Sequence, residues 1–110
     1  MQCGSEAFDR SMTLWLKRVM KHLGRGKHPL FDRAVELMAG TGRNLPTLAP
    51  HCRHIDAIEQ IPKFTHAYPK SIKSTTIAAV VVQVQDFKWT PSYDLIVGIW
   101  CLSYLNEGDI

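Results

Sequence analysis

Residues 35–44 read Val35-Glu36-Leu37-Met38-Ala39-Gly40-Thr41-Gly42-Arg43-Asn44, a short apolar strand carrying one acid that runs straight into a Gly-x-Gly turn. Glycine is required where a chain reverses tightly and lets a ligand approach its backbone. Such a turn at the carboxyl end of a parallel strand is where open α/β sheets place nucleotide-like ligands. A second anchor follows in Ile55-Asp56-Ala57-Ile58-Glu59, a strand ending in an acid 19 residues beyond Gly40. That spacing sets a carboxylate at the tip of the second strand, where it accepts hydrogen bonds from ribose hydroxyls. A short glycine motif alone is also compatible with an α/β turn that holds nothing. The correctly spaced pair points to an adenosine-containing ligand.

On the amino-terminal side, Phe8, Met12, Trp15, Val19 and Leu23 recur in steps of four and three. They form one stripe of a helix, with Ser5 as its cap and Gly24 as its stop, expected to cover a sheet face. A loop over 24–29 leads to a first strand over 33–38. After Gly42 only a short helix fits, because Pro46 must lie in its first turn and Pro50 ends it. The second strand is placed at 54–58, and Pro62 opens a helix that weakens before Pro69. Residues 77–84, rich in β-branched side chains, read as a third strand that ends in the turn Gln85-Asp86-Phe87. A fourth strand over 93–99 is apolar enough for burial on both faces, and 106–110 read as the start of a helix. Strands alternating with helices imply parallel pairing with right-handed crossovers, in the spatial order 3-2-1-4. The ligand crevice then lies at the carboxyl ends of strands 1 and 4.

The 110 residues suit one domain, and a hydrophobic share of 45% with 21% charged residues is that of an ordinary globular chain. No apolar run reaches the ~18 residues of a membrane span, and the amino terminus lacks the order of a secretory signal. Three cysteines, Cys3, Cys52 and Cys101, have no Cys-x-x-Cys spacing. They read as reduced thiols of a cytoplasmic or nuclear protein. Lys17, Arg18, Lys21, His22, Arg25, Lys27, His28 and Arg33 crowd the end of the first helix and the loop after it. Without interleaved aromatics for base stacking, this cluster reads as a solvated helix face and argues against a nucleic-acid partner. His51-Cys52-x-His54 has metal-ligand residue types but no second cluster to complete a tetrahedral site, so no metal is expected.

The dinucleotide fingerprint requires a third glycine three residues after the second, and Leu45 stands there. An acid two residues before the first position of the glycine loop, here Glu36, is instead the pattern of S-adenosylmethionine sites. With these residues in hand the chain resembles the class I S-adenosylmethionine-dependent methyltransferases. Among them it is most similar to the protein α-N-terminal methyltransferases, which act on Xaa-Pro-Lys-type termini. The similarity rests on residues 39–43, 55–60, 84–87 and 93–96 continuing to Trp100, and it covers roughly 33–105. The resemblance implies a Rossmann-like methyltransferase fold with helices on both faces of the sheet. It also implies one partial domain over 1–110, with an amino-terminal helix over 1–24, a donor-binding core over 33–105, and no counterpart of the family's strands 5–7.

By that resemblance Gly40 and Gly42 let the backbone approach the methionine part of S-adenosyl-L-methionine, and Arg43 pairs with its carboxylate. Glu59 holds the ribose with Gln60 beside it, Val84 and Gln85 line the adenine, and Trp100 lines the channel for a protein amino terminus. Three positions depart from the family: Met38 replaces the first glycine, Ile99 a glutamine and Tyr104 a histidine. Tyr104 is the one candidate base, and a phenol with pKa ~10 is a poorer base at neutral pH than an imidazole near ~6.5. An apolar fourth strand at a sheet edge is also open to pairing with a second copy or another chain. A non-catalytic partner subunit that uses the half-sheet as an interaction surface is therefore the alternative expectation.

Overall fold

The two anchor stretches fold as neighbouring parallel strands, β1 over Phe31–Leu37 and β2 over Cys52–Glu59, with Ala34 opposite Ile55 and Glu36 opposite Ala57. The computed structural model describes residues 6–24, 31–89 and 92–98. Strand β4, Thr75–Val81, pairs parallel with β2, and β5, Leu95–Val97, pairs parallel with β1. Leaving aside β3, the order from β4 through β2 and β1 to β5 is the 3-2-1-4 order expected from the sequence.

A fifth strand was not anticipated. Ser71–Ile72, β3, pairs antiparallel with the start of β4 through a two-residue turn in which Lys73 takes φ +53°. Helix α3 is correspondingly short, Pro62–Thr65, and leaves room for this hairpin before β4. The short helix after the glycine turn is α2, Leu45–Leu48, with Pro46 in its first turn and a 3-10 turn over Ala49–His51. The connection after β4 begins with a second 3-10 turn, Val84–Asp86, where strand had been expected to continue through Val84.

Helix α1, Glu6–Gly24, ends at the expected glycine, but its buried side differs from expectation. Leu16 and Met20 are buried, whereas Trp15 is 51% exposed and Leu23 46% exposed. Phe8 and Met12 lie outside the described side chains. The helix has apolar residues on more than one stripe, and its main described contact is with the four-residue α2. So narrow a support covers a single strip.

Leu16, Met20, Leu45, Leu48 and Tyr68 join Ala34, Ile55, Ala57, Ile77 and Val97 in one core cluster. Among the described residues the helices thus lie on one face of the sheet. The opposite face carries Arg33, His54 and Asp56 and is approached by the aromatic residues of the connection between β4 and β5. Ile96, on β5, is 56% exposed, which corrects the expectation of burial on both faces. As the sheet edge among the described strands, β5 has a neighbour on one side only. No helix among the described residues is long and apolar enough to cross a membrane.

Candidate functional site

The glycine turn leaves the end of β1 through Met38, whose φ of +53° is left-handed. An L side chain takes that conformation at a cost of roughly 1–2 kcal/mol. The turn is then closed by backbone bonds from Ala39 N to Ile58 O at 2.9 Å and from Gly42 N to Ala39 O at 3.0 Å. Gly40 (φ +60°) and Gly42 (φ +82°) are both left-handed, yet their surroundings are opposite. A side chain at Gly40 would meet nothing within 4 Å, whereas one at Gly42 would meet the Tyr68 ring at 3.0 Å and Leu45 at 3.3 Å. Gly40 is open for approach from outside; Gly42 is needed for packing inside.

Two acids converge on this turn. Glu59, at the tip of β2, accepts from Gly40 N at 2.9 Å through Oε1 and from Ile61 N at 3.0 Å through Oε2. A carboxylate offers about four lone-pair positions, so each oxygen keeps one for a further donor. Glu36, in β1, is only 1% exposed; Asn44 Nδ2 donates to its Oε2 at 3.0 Å, while its Oε1 is buried without a hydrogen-bond partner. Burial pushes the Glu36 carboxyl up to about 7, against the smaller opposing effect of the Asn44 bond. A buried carboxylate oxygen left unpaired costs free energy until a cation or N–H reaches it. The strands' carboxyl ends thus present two acids, an open glycine and the first turn of α2.

The sequence resemblance placed seven residues around the donor. Gly40, Gly42 and Glu59 meet at the turn; Gln60 and Arg43 are exposed on the same rim. Val84 and Gln85 lie in the 3-10 turn after β4, where Gln85 Nε2 donates to Gln83 Oε1 at 2.7 Å. Ile99, Trp100 and Tyr104 lie outside the described residues. His51, Cys52 and His54 form no metal cluster: burial pushes the Cys52 thiol up to about 12, and His54 is turned to Asp56 at 2.6 Å. No group of metal-ligating side chains occurs among the described residues.

A scan against protein-family models and a search of curated proteins each return no match. Solved structures do match in shape. The N-methyltransferase NodS from Bradyrhizobium japonicum WM9 superposes with a TM-score of 0.65 at 20% identity, over 84% of this chain and 49% of NodS. The fold is that of a methyltransferase. CalS10, an amino pentose methyltransferase from Micromonospora echinaspora solved with SAM bound, gives a TM-score of 0.64 at 14% identity, over 96% of this chain and 47% of CalS10. Phosphoethanolamine N-methyltransferase 1 from Haemonchus contortus gives 0.65 at 20% identity, over 90% of this chain and 22% of the other. The chain therefore spans about half the length of NodS and CalS10.

Within this methyltransferase fold, four contributors escaped the sequence. Tyr68 donates its hydroxyl to Gly40 O and stacks its ring on Gly42, joining the two glycines from a residue 28 positions after Gly40. Its neighbour Pro69 marks only a turn, so no sequence signal exists for it. Asn44 stands at the cap of α2 but makes no side-chain cap bond, and its amide is spent on Glu36. Ile61 and Val81, exposed at the ends of β2 and β4, flank Glu59 with apolar surface. Ile61 lies just past β2, whereas Val81 is the last residue of β4 and fell inside the strand expected over 77–84, so the sequence marked neither.

Proposed function

We propose that the chain binds S-adenosyl-L-methionine at this rim and serves methyl transfer to an amine, with a protein amino terminus as substrate. The carrying observation is the contact of Glu59 with the open Gly40 turn, which joins the two sequence anchors in one place. The residues fit such a donor. Glu59 keeps lone pairs for the ribose hydroxyls, and the unpartnered Oε1 of Glu36 faces the need for an ammonium or N–H. Gly40 leaves backbone space, and Arg43 supplies a cation on the rim for the donor's carboxylate. Ile61 and Val81 offer apolar walls for the base, with Gln85 for its polar edge. A bound donor supplies an activated methyl group on sulfur, so the protein's task is placement of the amine in line with it. The preference for a protein amino terminus rests on the Gln85-Asp86-Phe87 turn and on Trp100, the features that single out that branch of the family.

Calorimetric titration with S-adenosylhomocysteine tests the donor site. Saturable binding by the wild type, lost in Glu59→Ala and weakened in Arg43→Ala, is expected. A folded wild-type sample that binds nothing would discard the donor site.

A second function is favoured by Ile96, exposed on β5 at the edge of the described sheet. An apolar strand with an open edge is a template for pairing, and the half-sheet would then serve as an interaction surface in a homo- or hetero-oligomer. Light scattering across protein concentrations is expected to show self-association that Ile96→Lys reduces. A constant monomer mass for both proteins would remove this alternative.

A further inference from the structure

The most elaborate polar cluster among the described residues lies away from the glycine turn, on the sheet face opposite the helices. Its centre is Asp56, only 7% exposed and therefore a charge that must be met by donors. Arg33 Nη2 donates to Asp56 Oδ2 at 3.1 Å, His54 Nε2 lies 2.6 Å from Oδ1, and the Tyr93 hydroxyl donates to Oδ2. The Arg33 guanidinium also stands 5.7 Å from the centre of the Tyr93 ring, close enough for attraction to the ring face. Next to Tyr93, the Asp94 backbone N–H donates to Arg33 O at 2.8 Å, and the Asp94 carboxylate accepts from Asp32 N at 2.7 Å. Residues from β1, β2 and the connection before β5 are joined here.

Nothing in the glycine turn requires this cluster. What it does hold is the connection that leaves the rim after β4. That connection starts with the Val84–Asp86 turn, in which no residue is buried and whose own bonds are local: Asp86 N to Gln83 O at 2.9 Å and Phe87 N to Val84 O at 3.3 Å. A three-residue turn with local bonds alone is readily displaced. The next residue, Phe87, packs its ring edge-on to Trp89 at 5.1 Å and lies 6.2 Å from Tyr93; Trp89 and Tyr93 are 6.5 Å apart. These are the separations at which aromatic pairs attract. The three rings therefore form a strut from the exposed turn to the buried carboxylate of Asp56.

We infer that Tyr93 is a positioning residue: anchored on Asp56 by its hydroxyl, it holds through Phe87 the Val84–Asp86 turn against the adenine edge and so sets base specificity. This rests on the donor site proposed above. Tyr93 touches no ligand in this role. It acts by making one conformation of the turn persist, so that Gln85 and the backbone of the turn meet the base in a fixed geometry. A hydrogen-bonding site of that kind discriminates against a base whose edge pattern is changed, because its own polar groups are then left unpaired.

The test compares calorimetric affinities of the full chain for S-adenosylhomocysteine and S-inosylhomocysteine, which differ at the base edge. The wild type is expected to prefer the adenine ligand. Tyr93→Phe keeps the ring and removes the hydroxyl; it should reduce that preference roughly fivefold, the equivalent of about one hydrogen bond. Phe87→Leu, which breaks the strut and leaves the Asp56 cluster intact, should reduce it similarly. An adenine preference unchanged in both variants, or both ligands weakened by one common factor, overturns the inference. Wild-type binding that is lost in Glu59→Ala but shows no base preference also overturns it, while leaving the donor site standing. If the wild type binds neither ligand, donor site and inference fall together.

Discussion

Glu36→Gln is expected to be more stable than the wild type at pH 8 by about 2 kcal/mol, and slightly less stable at pH 4. The reason is the burial of Glu36, which raises its carboxyl from the ordinary 4.5 to about 7. Below pH 4.5 the carboxyl is protonated in both the folded and the unfolded chain, and its ionisation does not bear on folding. As pH rises, the unfolded chain gives up the proton first, and the folded state loses ground until both are ionised above about 7. Over that window the loss is about 3 kcal/mol. Glutamine cannot ionise, so it removes the slope; its amide keeps an acceptor for Asn44 but leaves N–H groups in the space where Oε1 has no partner. That buried, unpaired amide costs about 1 kcal/mol. Asp56 does not confuse the measurement. Its burial is outweighed by bonds from Tyr93, His54 and Arg33, which place its carboxyl below the ordinary range. Its contribution is present above the ordinary carboxyl pKa and fades only as pH falls through the lowered one. Denaturant melts at half-unit steps from pH 4 to 8 should show a wild-type decline that Glu36→Gln lacks. Parallel curves for the two proteins would refute the assignment. The same variant should bind S-adenosylhomocysteine at least ~10-fold more weakly, a stability gained at the expense of the site.

The sheet order was legible in the sequence because it follows from few, strong signals. The apolar runs around Val35, Ile55, Ile77 and Ile96 are strand-like, and the spacing between them admits only crossovers. The short α2 was fixed by Pro46 and Pro50, and the end of α1 by Gly24. The pairing of Ser71–Ile72 was not legible. Two residues carry no periodicity, and the turn depends on Lys73 adopting a left-handed conformation that its side chain does not advertise. The buried side of α1 was missed for a different reason. Phe8, Met12, Trp15, Val19 and Leu23 match a helical period, but so do Leu16 and Met20, and periodicity cannot say which stripe meets a neighbour.

For the candidate site, the sequence singled out the glycine turn and Glu59, which the structure joins by a hydrogen bond, because backbone geometry demands particular residues at such a turn. It could not foresee the contributions of Tyr68 and Asn44, whose side chains cross to the turn from other elements. Nor could it foresee the Asp56 cluster. Arg33, His54, Asp56 and Tyr93 look like ordinary strand and turn residues until β1, β2 and the connection to β5 are set side by side. Long-range polar contacts leave no local pattern to read.

The two glycines of the turn provide the second large effect, and it separates folding from binding. Gly42→Ala is expected to destabilise the fold by about 3 kcal/mol, whereas Gly40→Ala should cost about 1 kcal/mol. Both carry the left-handed strain, at φ +82° and +60°. Only Gly42 adds a steric conflict, since its new Cβ would stand 3.0 Å from two ring atoms of Tyr68 and 3.3 Å from Leu45. The ring cannot easily retreat. Tyr68 is buried in the core cluster and fixed by its hydroxyl on Gly40 O, and Leu45 is buried with it. For a domain of this size the difference between the variants corresponds to roughly 10 °C in melting temperature. Binding should order them the other way. At Gly40 the new methyl enters open space that the donor's backbone contact would need, so affinity for S-adenosylhomocysteine falls while the fold persists. Thermal melts beside calorimetric titrations of both variants decide the matter. Equal losses of stability would contradict the packing role of Gly42, and wild-type affinity in Gly40→Ala would mean that the donor does not approach the backbone there.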